Sequence, residues 1–511
     1  MTVPVRSLPV VVVGAGPTGS CAALGLAARG VPCVVLDRWE RVYPQPRAVH
    51  LDDEVYRALA RLGLGAELAG LTRPGGGLRL VDAALSVLAE FSRDGVSPVN
   101  GYPRANMFDQ PALDAVLRAR LLAHEAVTFL GGHEVTGVEQ VGSGRVRVRH
   151  RDVRTGEPHE VEAAFVLGCD GANSRVRQSI GARMVDLGFE QRWLVMDVET
   201  EADLRQWDGV HQVCDSTRAA TYMRVGATRH RWEFKLLDGE TAADFGSLPS
   251  VEPLLRPWLR GVALDDLRLV RSTEYTFRAA VADRWRSGRV FLLGDAAHVT
   301  PPFIGQGLGA GVRDADNLAW KVAGFLDGTL GADVLDSYQA ERLPHARASI
   351  LLARQVGLLM CSGGRVGDAV RRLLVPVLGR IPLLVRQAVD SATPPLRASA
   401  LTRADRRDRL AGRLCPNALD GRPALDERIG PGWALVTLRA PSPSCLRELV
   451  ARGVTVVEAG DHPELSDWLR AGRCVAALVR PDRSVLASGD EVSTLVSTAS
   501  SLLPPRTEAP A

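Results

Sequence analysis

The stretch VVVVGAGPTGSCAALGLAARGVPCVVLD, residues 10–37, decides the fold of this chain. It opens on four β-branched residues, Val10 to Val13, a short apolar run that predicts a buried parallel strand. The next six residues, Gly14 to Gly19, fit G-x-G-x-x-G, and a helical Ala/Leu stretch leads to a second strand that delivers Asp37. Strand, glycine-rich turn, helix, strand and acidic residue therefore follow one another as in a dinucleotide-binding βαβ unit.

Each of these residue types has a physical task in such a unit. Gly14 permits the tight turn, Gly16 lets the backbone approach a pyrophosphate, and Gly19 lets helix and strand pack closely. The N–H groups at the start of the helix meet the negative phosphates, and Asp37 is placed to accept hydrogen bonds from a ribose. A glycine-rich turn without a ligand is the alternative, and the fingerprint by itself does not separate FAD from NAD.

Two later segments place further aspartates at the ends of strands. Residues 168–177, GCDGANSRVR, follow a strand-like run and contain Asp170. Residues 288–298, GRVFLLGDAAH, contain Asp295 and lead towards a Gly305-Gln306-Gly307 loop. Because ligands bind at the carboxyl ends of strands in a doubly wound sheet, both aspartates are candidates for a cofactor site. For Asp295 the alternative is a simple helix N-cap.

At these points the chain resembles the class A (single-component) FAD-dependent aromatic hydroxylases. Their signatures are the N-terminal fingerprint, a central D-G motif and a later G-D motif, and all three occur here in that order. The resemblance covers most of residues 8 to 345. Within the family the sequence is most similar to the 3-(3-hydroxyphenyl)propionate hydroxylases, through the segments Pro46-Arg47-Ala48, Leu51-Asp52-Asp53-Glu54, Pro103-Arg104-Ala105-Asn106, Gln110-Pro111 and Arg231-Trp232-Glu233-Phe234.

The resemblance implies an α/β fold with three parts. They are a discontinuous Rossmann-like FAD-binding domain, a mixed β-sheet substrate domain and a C-terminal thioredoxin-like domain. Since the chain has no C-x-x-C pair, we expect the last of these to be redox-inert and to act in packing or dimerisation. The expected boundaries are 1–185 for the first part of the FAD-binding domain (with substrate-domain strands near 76–105), 186–270 for the substrate domain, 271–400 for the second FAD-binding part and a helical region, 401–504 for the thioredoxin-like domain and 505–511 for a disordered tail.

The resemblance also implies which residues bind the cofactor. Asp295 would bind the ribityl hydroxyls, and the main chain of the Gly305–Gly307 loop would face the isoalloxazine. Asp170 is expected to shape the crevice more than to touch FAD. The family often has asparagine where this chain has Gly309, so a side-chain contact with the flavin would be missing. The full set is Gly14, Gly16, Pro17, Gly19, Asp37, Arg38, Arg47, Gln110, Asp170, Gly294, Asp295, Pro302, Gly305, Gln306 and Gly307.

Residues 185–270 alternate apolar and polar side chains, as half-buried antiparallel strands do. This sheet is expected to roof the substrate cavity against the flavin. Tyr222, Trp232 and Phe234 are candidates to line that cavity, although aromatic residues in strands are more often plain core.

The reaction implied is hydroxylation of a phenolic ring with NADH or NADPH and O2. The nicotinamide reduces FAD, O2 adds at the flavin C4a, and the distal oxygen of the hydroperoxide attacks ortho to the phenol. No catalytic acid or base is evident from the sequence. A hydroxylase of an aromatic polyketide or antibiotic shares every motif, and a flavin-binding reductase without oxygenase activity is the alternative from another class.

Composition excludes other classes of function. The 511 residues carry 62 basic and 59 acidic side chains, a net charge of +3, which gives no electrostatic case for nucleic acid or an anionic membrane. The eight cysteines are scattered, and Asp295 with His298 lacks a third ligand of suitable spacing, so no metal site is expected. With no signal peptide and no apolar run of about 20 residues, the expected location is the cytoplasm.

Overall fold

The structure is a computed structural model that describes residues 8–45, 47–142, 144–378, 393–403, 408–420 and 422–505. Two expectations fall partly outside these ranges. Pro46 of the predicted Pro46-Arg47-Ala48 match is not described, and of the predicted tail 505–511 only Pro505 is.

The strands form six sheets within the described ranges. In chain order they are β1 (Val10–Val13), β2 (Cys33–Asp37), β3 (His50–Asp52), β4 (Thr72–Pro74), β5 (Gly77–Val81), β6 (Val87–Ser92), β7 (Ala105–Phe108), β8 (Val127–Gly131), β9 (His133–Val141), β10 (Arg145–Asp152), β11 (Pro158–Ala163), β12 (Phe165–Gly168), β13 (Met184–Glu199), β14 (Val210–Val213), β15 (Ala220–Arg224), β16 (Arg229–Lys235), β17 (Arg268–Ala282), β18 (Arg286–Ser287), β19 (Val290–Leu292), β20 (His298–Val299), β21 (Ala418–Leu419), β22 (Arg422–Pro423), β23 (Trp433–Thr437), β24 (Val454–Glu458), β25 (Ala476–Val479) and β26 (Val485–Gly489).

The helices pack between and around these sheets. They are α1 (Pro17–Ala27), α2 (Asp53–Leu59), α3 (Gly65–Leu71), α4 (Gln110–Ala123), α5 (Arg175–Ser179), α6 (Leu248–Leu259), α7 (Gly307–Asp327), α8 (Ser337–Cys361), α9 (Gly364–Leu378), α10 (Leu425–Ile429), α11 (Pro443–Ala451), α12 (Pro463–Gly472) and α13 (Val492–Leu502). Among the helices described, none is long and apolar enough to cross a membrane.

The first sheet, here called the central sheet, has the order β18-β19-β12-β1-β2-β8. All its strands run parallel except β18. β1 lies inside the sheet with all four valines buried, which confirms the predicted parallel strand. In the register, Val13 pairs with Gly168 and Gly168 with Leu292. The carboxyl ends of β1, β12 and β19, which carry the three motifs, are therefore neighbours at one edge.

The large sheet has eight strands in the order β20-β17-β13-β16-β15-β14-β5-β6. Strand β13 begins at Met184, before the predicted limit of 186, and strand β17 ends at Ala282, beyond the predicted limit of 270. Strands β5 and β6 fall within the predicted range 76–105. One face, the outer face, packs on α6 through residues such as Leu194, Trp232 and Leu255. The opposite inner face packs Trp193 against Phe303, with ring centroids 5.6 Å apart. The inner face is thus turned towards the loop that precedes α7.

The C-terminal module runs β23, α11, β24, α12, β25, β26 and α13. Its sheet has the order β24-β23-β25-β26, with β24 parallel and β25 antiparallel to β23. This order supports the predicted thioredoxin-like domain, an assignment that stays a prediction.

Buried charges join this module to the rest of the chain. Arg480 donates to both carboxylate oxygens of Glu341 at 2.8 and 2.9 Å, and Lys321 donates to Glu341 at 2.7 Å. All three side chains are fully buried. Burial alone would raise the pKa of Glu341, but the two cations outweigh it and hold the pKa well below its usual range. Arg57 of α2 makes a second link, since it donates hydrogen bonds to both carboxylate oxygens of Asp426 on α10 at 2.7 and 2.8 Å.

We expect Glu341→Ala to lower the free energy of unfolding by about 3–5 kcal/mol, because two buried cations lose their shared partner. Urea denaturation measures the loss. Glu252→Ala is the control, since Glu252 pairs with Arg256 on the surface of α6 and such pairs contribute less than about 1 kcal/mol. Equal losses in the two variants would contradict the structural role given to Glu341.

Candidate cofactor-binding and active site

The glycine-rich turn between β1 and α1 has two crowded positions and one open one. Gly14 has φ +97° and lies against the carbonyl of Cys169, with which a Cβ would collide. At Gly19 a Cβ would collide with the carbonyl of Gly14, whereas at Gly16 it would meet nothing within 4 Å. Pro17 opens α1, and no side chain caps the helix. The open side of Gly16 and the uncapped N–H groups of the first turn leave room for a phosphate group.

Asp37 fastens this turn to the end of β2. Its carboxylate accepts the N–H groups of Ala15 and Trp39, both at 2.7 Å. A carboxylate has about four acceptor sites, so these two bonds leave capacity for a ribose hydroxyl. The ribose contact stays a prediction, as does the role of Arg38, whose guanidinium lies 5.4 Å from the centre of the Trp39 ring.

Gln110 holds the segment that carries Arg47. Its Oε1 accepts the N–H groups of Arg47 at 3.1 Å and Ala48 at 2.7 Å. The side chain of Arg47 is exposed and lies over the ring of Tyr43. Its charge also acts to lower the pKa of Asp295, which places it on the same side of the molecule as the G-D motif. Gln110 therefore positions Arg47 through the backbone, and a direct flavin contact of either side chain stays a prediction.

Asp170 stabilises the start of α5. One carboxylate oxygen accepts the N–H groups of Arg175 at 2.6 Å and Val176 at 3.0 Å, and the other accepts the hydroxyl of Ser174 at 2.5 Å. Arg177 on the same helix donates to the carbonyl of Ala296 at 3.0 Å. These bonds connect the D-G motif to the G-D motif, and the role of Asp170 in shaping the crevice stays a prediction.

Asp295 belongs to the G-D motif and follows the end of β19. It is half-buried in a 3-10 turn, and no donor from the described part of the chain contacts its carboxylate. Burial raises its pKa, opposed by the charges of His298 and Arg47. Leu293 occupies the cap position of the turn, so Asp295 is not the helix N-cap of the alternative reading. A carboxylate in this position fits a ligand that brings its own hydroxyl donors.

The base of the G-D motif is fixed by Asp314 of α7. Its Oδ2 accepts the N–H of Gly294 at 3.0 Å and lies 2.7 Å from Nε2 of His298. Arg342 of α8 donates to the other oxygen at 2.9 Å. Nothing in the sequence spacing of Asp314 and Arg342 indicated that they hold the motif. No cluster of metal-ligating side chains occurs among the residues that the structure describes.

The loop from Pro302 to Gly307 presents main chain to the crevice. Pro302 begins a 3-10 turn, and at Gly307 a Cβ would meet nothing within 4 Å. The side chain of Gln306 turns away from this open space and donates to Asp52 at 2.9 Å. Gly305 packs beside the ring of His50. The loop therefore suits the predicted contact with a flavin ring through its backbone, and Gln306 serves to anchor it.

Gly309 has a packing reason to differ from asparagine. A Cβ at this position would lie 2.9 Å from Cγ2 of Val55 on α2 and 2.8 Å from Nη1 of Arg313. The residue is buried where α7 crosses α2. In this chain the missing side chain allows the two helices to approach, and main-chain contacts at Gly307 do not depend on it.

The predicted substrate-pocket residues lie on the wrong face of the large sheet. Tyr222, Trp232 and Phe234 belong to the outer core with Trp258 of α6. Strand alternation sends their neighbours Thr221, Arg231 and Glu233 to the inner face. The prediction that the three aromatic residues line the substrate cavity is therefore wrong. The inner face carries these polar side chains beside other aromatic residues such as Trp193.

Comparison with known proteins agrees with this geometry. Residues 7–353 match the family model described as FAD binding domain. The chain is 31% identical to a probable NADH-specific resorcinol 4-hydroxylase of Rhodococcus jostii (strain RHA1), over 98% of this chain and 95% of that protein. It is 30% identical to a 3-(3-hydroxy-phenyl)propionate/3-hydroxycinnamic acid hydroxylase of Burkholderia cenocepacia (strain HI2424), over 94% of each. In fold it resembles aklavinone-11 hydroxylase, solved with FAD and aklavinone, with a TM-score of 0.81 at 23% identity over 98% of this chain and 100% of that one.

We expect Asp295→Ala to weaken FAD binding roughly ten- to hundredfold, since hydrogen bonds to a charged group contribute about 1.5–3 kcal/mol. Titration of the apoprotein with FAD, followed by flavin fluorescence, measures the dissociation constant. Asp283→Ala is the matched control, because Asp283 is exposed and bonds only the N–H of Arg183 among its described contacts. An unchanged constant for Asp295→Ala would remove this residue from the cofactor site.

Gly309→Asn should lower the free energy of unfolding by about 1–3 kcal/mol, the usual effect of overpacking a buried contact. The added side chain would meet Val55 and Arg313. Thermal unfolding of the single variant and of Gly309→Asn with Val55→Ala measures the effect, and the double variant should recover part of the loss. A fully stable single variant would show that the α2–α7 contact does not require glycine.

Proposed function

The chain belongs to the family defined by this FAD-binding domain, and we propose that within it the protein hydroxylates small phenols with a substituent meta to the ring hydroxyl. It is an FAD-dependent aromatic monooxygenase. The proposal concerns the substrate. Resorcinol and 3-(3-hydroxyphenyl)propionate, named for two relatives that cover at least 94% of this chain, are both phenols substituted at the meta position.

The observation that carries the proposal is that a carboxylate without a hydrogen-bond donor occurs together with a row of polar side chains on the inner face of the large sheet. Asp295 accepts no hydrogen bond from the described residues, as a ligand for ribityl hydroxyls requires. Facing this edge, the inner face of the large sheet presents Gln212, Thr221 and Glu233 in one cross-strand row. Polar side chains that are buried need hydrogen-bond partners, so they suit a small ring that bears hydroxyl groups better than an extended apolar substrate.

In this reaction the protein binds and orients while the cofactor carries the redox chemistry. Bound FAD, once reduced by the nicotinamide, activates O2 for transfer of one oxygen atom to the ring. The glycine turn of β1 and Asp295 hold the cofactor, and the Pro302–Gly307 loop carries its ring. No second G-x-G-x-x-G was found in the sequence, which favours transient binding of the nicotinamide. We propose NADH as the reductant, because the related resorcinol hydroxylase is named as NADH-specific. A homodimer and a cytoplasmic location stay predictions.

The test is a phenol panel of resorcinol, 3-(3-hydroxyphenyl)propionate and a polycyclic phenol, each assayed with NADH and NADPH. We expect a meta-substituted phenol to stimulate NADH oxidation and to give a product hydroxylated ortho to a ring hydroxyl. Under anaerobic stopped-flow conditions the best phenol should speed flavin reduction by roughly two to three orders of magnitude, equivalent to about 3–4 kcal/mol.

Two outcomes would contradict the proposal. Turnover of the polycyclic phenol alone would favour a hydroxylase of aromatic polyketides. NADH oxidation that is equal with and without phenols, and that yields no hydroxylated product, would favour a reductase.

A further inference from the structure

A row of polar side chains crosses the inner face of the large sheet. The register pairs Gln212 with Thr221, Thr221 with Glu233, Glu233 with Val195, and Val195 with Thr273. Residues paired in this way point to the same side of a sheet. Glu233 therefore stands near the middle of a row that has no aromatic residue and only one apolar one.

Two hydrogen bonds and one electrostatic interaction connect this row and its neighbours to the cofactor edge. At one end Gln212 donates to the carbonyl of Phe303, in the turn that precedes the Gly305–Gly307 loop, at 2.5 Å. Beside the row, Arg231 donates to the carbonyl of Arg47 at 2.9 Å. On β17, Tyr275 stands two residues from Thr273 and interacts electrostatically with Asp295 and Arg47. Glu233 lies between these contacts and is thus turned towards the crevice.

Glu233 is the charged member of the row. It is only 8% exposed, yet no donor in the described ranges bonds its carboxylate, and its oxygens are not among the sealed unbonded atoms of the interior. The adjacent cation Arg231 is engaged by Asp197 at 2.8 and 3.1 Å, and Arg271 lies 3.3 Å from the same carboxylate. Burial raises the pKa of Glu233, with Arg231 and Arg271 acting to lower it and Asp197 to raise it.

We propose that Glu233 is a catalytic residue whose carboxylate accepts the proton of the substrate's ring hydroxyl. The inference rests on the proposed function and names the residue that would contact the phenol. A carboxylate that borders the crevice without a donor can receive the hydroxyl of a ring bound between the roof and the flavin.

The step balances as follows. The phenolic O–H bond breaks as the new C–O bond forms at the ortho carbon, the proton passes to the Glu233 carboxylate, and the phenolic oxygen becomes a carbonyl. Loss of the hydrogen at the ortho carbon as a proton, with return of a proton to the carbonyl oxygen, restores the aromatic ring. The transferred oxygen atom comes from O2. The O–O bond breaks, and the second oxygen atom of O2 leaves as water with two electrons from NADH. A proton acceptor of raised pKa is better matched to this task at neutral pH than an ordinary surface carboxylate.

The experiment compares wild type with Glu233→Gln, which keeps the shape and removes the proton acceptor. The matched control is Glu274→Gln, on β17 of the same sheet, where Glu274 pairs with Arg192 at the partly exposed edge. Each protein is assayed with resorcinol, with 3-(3-hydroxyphenyl)propionate and with ring-fluorinated derivatives of both, which have lower phenol pKa values. FAD dissociation constants, anaerobic flavin reduction rates and kcat for product formation between pH 5 and 10 are recorded.

For Glu233→Gln we expect unchanged FAD binding and reduction, with kcat for hydroxylation lowered about 10²-fold, the scale of one general base. The wild-type kcat should fall at acidic pH, and this limb should be absent in the variant. The ratio of wild-type to variant kcat should shrink as the phenol pKa falls, because a phenol whose hydroxyl is already ionised needs no base. The control should behave as wild type. If Glu233→Gln does not retain FAD, Glu233→Asp decides: it should lower kcat and keep the acidic limb.

Three outcomes overturn the assignment. A ratio that stays constant across the fluorinated series, or an acidic limb that persists in Glu233→Gln, removes Glu233 as the proton acceptor. In either case product formation by the wild type leaves the proposed function standing. If the wild type hydroxylates none of these phenols, the proposed function fails and the role of Glu233 fails with it.

Discussion

The close approach of α1 and α7 at Thr18 is the contact on which the rest of the site depends. Thr18 stands one residue before Gly19 on α1. A Cβ at Gly294 would lie 2.7 Å from the hydroxyl oxygen of Thr18. At Gly311 of α7 a Cβ would collide with the same side chain. Only residues without side chains allow the three segments to meet. The meeting sets the phosphate-binding turn, the G-D motif and the start of α7 around one crevice.

The polar groups around that crevice are of two kinds. Some have hydrogen-bond partners in the protein, and others have none among the described residues. Some side chains form hydrogen bonds that hold loops and helix ends in place, namely those of Asp314, Asp170 and Gln306. The carboxylates of Asp295 and Glu233 have no hydrogen-bond donor among the described residues. Because an open buried acceptor is costly, such groups persist where a ligand completes them. Under the proposed function the cofactor would complete Asp295 and the substrate would complete Glu233, which keeps the two binding tasks on separate elements.

The sequence predicted the framework well and the faces of the large sheet poorly. The strand from Val10 to Val13 and the glycine turn could be placed because a continuous apolar run bounded by turn residues has few other structures. The pattern Arg-Trp-Glu-Phe of β16 predicted a strand, but it indicated the wrong side for ligand binding. Both faces of β16 are buried, so alternation shows that two faces exist without showing which one meets the cofactor. Likewise the sequence did not predict the link made by Arg480, since nothing local to it reveals Glu341, 139 positions away.

The buried ion pairs between the C-terminal module and the remainder of the chain constrain how such enzymes can exchange parts. Arg480 is fully buried against Glu341, and Arg57 is nearly so against Asp426. A module grafted from a relative would bring its own half of each pair, and a mismatch would leave a charge buried without a counter-ion. Recombination near residue 400 should therefore succeed only between parents that share both pairs. Exchange of the module would therefore have to include matching residues on α2 and α8, which ties the two halves of the chain together through residues remote in sequence.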